Sequence, residues 1–87
     1  MDRHQRTFAA IFAKRANIAW ADIEKMLIHY GAEVSEGSGS RVRIALNGVR
    51  AVFHRPHPHK ETDRGAVSAM RRFLLEAGIE PGGPNDV

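Results

Sequence analysis

The sequence predicts an α+β sandwich, in which a small antiparallel sheet carries helices on one face. Three observations lead there. Apolar residues recur at helical spacing in two segments ahead of Gly31 and in one beyond Thr62. Three short runs between them alternate polar and apolar residues, and an Asn-Gly pair joins two of those runs. The expected order is helix, helix, three antiparallel strands, helix.

Residues Arg3 to Lys14 place Phe8, Ile11 and Phe12 on one stripe, which predicts a short accessory helix over residues 1–15. From Trp20 to Tyr30, Ile23, Met26, Leu27 and Tyr30 follow the i, i+3, i+4, i+7 pattern of a second helix. Gly31 supplies the left-handed residue that ends it. Ala32 to Glu36 alternates as a short strand, and Gly37-Ser38-Gly39-Ser40 turns the chain because its glycines accept backbone angles that other residues resist. Arg41 to Leu46 and Val49 to Arg55 alternate on either side of Asn47-Gly48, the favoured pair for a two-residue hairpin. Pro56 and Pro58 hold the next segment extended. Thr62 or Asp63 can cap a last helix whose buried stripe is Val67, Met70, Phe73 or Leu74, and Ala77, with Gly78 closing it. Residues 80–87, rich in Gly and Pro, read as a flexible tail.

A two-residue turn fixes the register, since cross-strand partners then have numbers summing to 95. Val42, Ile44 and Leu46 face Phe53, Ala51 and Val49, which makes one apolar face. The other face pairs Arg41 with His54, Arg43 with Val52 and Ala45 with Arg50. Three arginines and a histidine therefore share one open surface.

Charge marks the same region. The 24 residues between Glu36 and Glu61 contain Arg41, Arg43, Arg50, Arg55 and Lys60 and no acid, a formal +5, while the remaining eight basic and ten acidic side chains give −2. Guanidinium groups attract phosphates, and imidazoles move protons near neutral pH, so RNA binding and cleavage is the chemistry this segment suits. The opposing reading of the arginines is a solvated strand face whose charge deters aggregation, although five cations with no compensating acid weigh against it. Eighty-seven residues fit one small domain. The absence of cysteine excludes disulfides and thiolate metal sites. No apolar run approaches the roughly 20 residues that span a bilayer, so a cytoplasmic protein with no membrane partner is expected. His54-x-x-His57-x-His59 lacks the carboxylate or cysteine company of a metal site, and neither metal nor cofactor is predicted. Trp20, Phe53 and Phe73 sit at core spacings and read as packing before base stacking. Arg71 and Arg72 read as polar-face residues of the last helix, and His4 and His29 as inert.

Several elements together resemble the HicA toxin family. They are the helix ending Tyr30-Gly31, the Gly37-Ser38-Gly39-Ser40 turn, the segment His54-Arg55-Pro56-His57-Pro58-His59-Lys60-Glu61, and the closing Arg71-Arg72-Phe73-Leu74-Leu75-Glu76-Ala77-Gly78-Ile79. The resemblance spans roughly Trp20 to Ile79 and implies a double-stranded-RNA-binding-domain-like α-β-β-β-α fold over 18–79. It also implies an mRNA-cleaving ribonuclease that needs no metal, neutralised by a HicB-like antitoxin. Family members share a Gly-Ser-His turn whose histidine is taken as catalytic, and here Arg41 follows Gly39-Ser40. The candidate catalytic residues are accordingly His54, which the hairpin register sets against Arg41, His57 in the matching loop, and Arg41 itself as a stabiliser of phosphate charge. Arg41, Arg43, Arg50, Arg55, Lys60 and Ser40 are the candidate RNA contacts. A non-catalytic RNA- or partner-binding module on the same fold is the alternative, because the turn histidine is replaced.

Overall fold

The structure, a computed structural model, describes residues 2–56 and 61–79. Its elements are α1 (Arg3–Phe12), α2 (Trp20–His29), β1 (Glu33–Glu36), β2 (Arg41–Leu46), β3 (Val49–His54) and α3 (Arg64–Glu76). The strands form one antiparallel sheet in the order β1-β2-β3. From Trp20 onward the order is α-β-β-β-α, the double-stranded-RNA-binding-domain-like arrangement, with α1 added in front. The segment His57 to Lys60 and the tail from Glu80 lie outside the described residues.

Helix boundaries follow from their caps. α1 starts in a capping box: the Gln5 amide donates to Asp2 Oδ1 at 2.8 Å, and the Asp2 amide donates to Gln5 Oε1 at 2.9 Å. It stops short of Lys14, which takes a left-handed φ of 53°. Of the two capping candidates for α3, Asp63 serves, its Oδ1 accepting from the Ala66 amide at 2.8 Å, while the Thr62 hydroxyl is buried without a partner. α2 and α3 end alike. Gly31 and Gly78 take φ of 96° and 82°; Ala32 N–H donates to Leu27 O at 2.9 Å, and Ile79 N–H donates to Leu74 O at 2.8 Å. These six-to-one bonds satisfy carbonyls that the helix leaves open, which explains why Leu-x-x-Ala-Gly-Ile reads so clearly as an ending.

The hairpin has the expected register throughout, from Arg41 opposite His54 to Leu46 opposite Val49. Asn47 and Gly48 hold φ of 50° and 83°, the pair of left-handed residues that a type I′ turn requires. Val42, Ile44, Leu46 and Phe53 point from the sheet into a single core with Ile23, Met26 and Leu27 of α2 and Val67, Met70, Phe73 and Leu74 of α3. Phe73 and Leu74 are both buried, so the stripe includes the two. α1, expected as an accessory, shares this core: Phe8 and Ile11 are buried in it, and Phe8 meets Tyr30 with ring centroids 5.6 Å apart. Trp20, Phe53 and Phe73 are buried as packing residues, and the other face of the sheet is open.

Candidate functional site

The open face is a grid set by the two strand registers. Glu33, Ala45 and Arg50 form one row across β1, β2 and β3, and Ser35, Arg43 and Val52 form the next. Arg41 and His54 follow, with Gly37 beside Arg41 through a 2.9 Å bond from Gly37 N–H to Arg41 O. Arg41, Arg43, Arg50 and His54 are all exposed. Among the described residues none of the three guanidinium groups has an ion pair or hydrogen bond. Their charge is thus directed to solvent.

The ladder's phase brings Arg41 and His54 together. Arg55 N–H donates to Ser40 O at 2.7 Å, so residues 40 and 55 form a hydrogen-bonded pair and Arg41 with His54 a non-hydrogen-bonded one. In that kind of pair the Cα atoms approach to about 4.5 Å and the side chains stand closest. The same alternation makes Arg43 with Val52, and Ala45 with Arg50, close pairs. Ser40, exposed in the turn, adjoins Arg41 at the same end.

Arg55 departs from the expected patch. It follows β3 but leans toward the helix side, where its Nε donates to Glu24 Oε2 at 2.7 Å and its Nη2 to Glu24 Oε1 at 3.1 Å. Its Nη1 reaches Glu36 Oε1 at 2.5 Å. The Trp20 indole N–H donates to Glu24 as well. The hydrogen bonds Arg55 donates to Glu24 first, and then to Glu36, raise its pKa above its ordinary value against an opposing effect of burial. This guanidinium is neutralised by two carboxylates and clasps the end of β3 to α2 and β1. Sequence reasoning missed the clasp because both acids lie outside the basic run, 31 and 19 residues away in the chain.

Beyond β3, Glu61 bridges to Ala19, and Thr62 N–H donates to Ile18 O at 2.7 Å, which returns the chain to the start of α2. His57, His59 and Lys60 fall outside the described residues, so among the candidate bases only His54 has a described position. Three other side chains depart from a purely solvated role. The Arg71 guanidinium lies over the Phe12 ring, 5.6 Å from its centroid, and His4 stacks on His29 with centroids 4.3 Å apart, joining α1 to α3 and α2. Among the described residues no group of three or more His, Cys, Asp or Glu could hold a metal ion. No helix there is long and apolar enough to cross a membrane.

The fold and this face define a small α+β domain of double-stranded-RNA-binding-domain type with an unpaired cationic sheet surface. Residues 20–79 match the family model described as the HicA toxin of bacterial toxin-antitoxin systems. The chain belongs to the HicA toxin family and is the toxin of a two-component pair. No curated protein and no solved structure matches it.

Proposed function

We propose that this chain is a HicA-like toxin that binds mRNA on the open sheet face, cleaves it without a metal, and is neutralised in the cytoplasm by a HicB-like antitoxin, acidic where it covers that face. One observation carries the reading: in a chain of this family, His54 faces Arg41 across the sheet at the edge of three unpaired arginines. Cleavage begins when the 2′-oxygen loses its proton to a base and bonds to phosphorus. It ends when the 5′-oxygen leaves with a proton from an acid. His54 is assigned as the base and His57 as the acid. Arg41 stabilises the charge that builds on the phosphorane oxygens, with Arg43 and Arg50 holding neighbouring phosphates. Ser40 and Lys60 are secondary contacts in this reading.

The replacement of the family's turn histidine by Arg41 favours a second reading, a module that binds RNA and does not cut it. Incubation with labelled RNA in EDTA at several salt concentrations separates the two. The toxin reading expects cleavage that persists in EDTA and disappears in His54→Ala. Three phosphate contacts on a single strand, at about 0.7 each, give a log–log salt slope of about −2 for binding. Salt-sensitive binding with an intact RNA product supports the module, and no binding at low salt removes both readings.

A further inference from the structure

The centre of the open face has a shallow depression whose shape follows from its residues. Ala45, half-buried and small, is its floor, and Glu33, Ser35, Arg43, Arg50 and Val52 stand around it. Val52 is 58% exposed, an apolar surface that the fold leaves uncovered on a face otherwise built of charges. Glu33 is the only carboxylate in the grid, and among the described residues its side chain pairs with none of the arginines. Glu33 and Arg50 flank Ala45 in one row, two strand spacings or about 10 Å apart at Cα. That separation leaves room for a planar group between an acceptor on one side and donors on the other.

We propose that this depression is a guanine subsite for the bound RNA strand, an inference that rests on the RNA-binding reading above. Guanine presents two adjacent N–H donors, N1–H and the N2 amino group, which match the two oxygens of one carboxylate. Its opposite edge presents O6 and N7, the acceptors that an arginine fork reads. Glu33 takes the first edge, Arg50 or Arg43 the second, and Val52 packs on the ring. Cytosine and adenine offer a carboxylate only one exocyclic amino group, and uracil places acceptors on both sides of its single ring N–H. Glu33 is therefore the specificity-determining residue; the arginine at the second edge finds an acceptor on uracil and adenine too, at O4 or N7, and the other arginines hold phosphates of any sequence.

The test uses fluorescently labelled uridine octamers carrying one central G, A, C or inosine, titrated with the full chain by anisotropy at low salt. The G octamer is expected to bind roughly tenfold more tightly than the all-U octamer, at the lower end of what one bidentate base contact discriminates. Inosine, which lacks the N2 amino group, loses most of that preference, and Glu33→Gln brings the G-to-U affinity ratio close to 1. Equal affinity for G and U in the unmodified chain overturns the guanine subsite and leaves RNA binding intact, the result expected if Glu33 only deters edge pairing. A G preference that survives in Glu33→Gln likewise overturns it. Absence of binding to every octamer removes the RNA reading itself.

Discussion

Arg41 concentrates the chemical question in one residue. A guanidinium stays protonated in a protein, so it can hold a phosphate or stabilise a phosphorane but cannot take a proton from a 2′-hydroxyl. In the proposed ribonuclease reading the base stands elsewhere, and the imidazole set across from Arg41 is His54. On that reading, Arg41→Ala should lower the cleavage rate at pH 7 by about a hundredfold, the scale on which loss of one donor to the developing charge acts. A gel assay of the rate reads this, and an unchanged rate would remove Arg41 from the role of stabilising the phosphorane. Asp2 offers a second residue-scale expectation. The Gln5 amide bonded to its carboxylate is the main cause holding its pKa below the ordinary 3.8, with burial opposing and His29 and His4 adding their attraction. A carboxylate with a depressed folded pKa stabilises the fold above its unfolded value, and that contribution drains away as pH falls through the folded one. Helicity followed by circular dichroism should therefore fall below about pH 3.8 in the parent chain, with a smaller acid-dependent part in Asp2→Asn.

At the scale of elements, the hairpin was legible to the residue, because a two-residue turn and a side-chain period of 2 leave a single register. A Cβ at Gly48 meets nothing within 4 Å, so Gly48→Ala costs only the backbone strain of a φ of 83°, about 1 kcal/mol, readable in a urea midpoint. The Arg55 clasp was not legible. Its partners stand 31 and 19 residues away, on a helix and at the end of another strand, and no local pattern of charge brings them together. Strand alternation did place Arg41, Arg43 and Arg50 correctly, and carried one residue past β3 it sets Arg55 on the helix side with Phe53, away from the other arginines. Glu33 was readable in principle: carrying the register through the Gly-Ser turn to β1 sets it in the row of Ala45 and Arg50. The Arg55 and Glu24 side chains are 26% and 21% exposed, so the pair is partly screened, and Arg55→Met should cost about 2 kcal/mol. A double-mutant cycle with Glu24→Gln measures the coupling, and a value near zero would show that the clasp contributes nothing to stability.

At the scale of the whole molecule, the family span and the folding unit differ. The match begins at residue 20, after α1 has ended, yet α1 is bonded into the structure on three sides. Phe8 and Ile11 enter the common core, His4 stacks on His29 of α2, and Phe12 lies under Arg71 of α3. The sequence showed the apolar stripe of α1 but not its target, since an amphipathic helix reveals that it has a buried face without revealing what covers it. A small domain has little core to spare, and each large buried side chain is a substantial share of a stability of only several kcal/mol. Ile11 is fully buried, and Ile11→Ala should cost about 3 kcal/mol, a cavity-scale loss. Removal of residues 2–15 should do more, uncovering the side of α2 and α3 on which Phe8 and Ile11 pack. The expected result is a chain with a much lower thermal midpoint and increased binding of a hydrophobic dye. A truncated chain starting at Ala16 that melts with the midpoint and steepness of the parent would show instead that α1 is an appendage and that residues 18–79 fold alone.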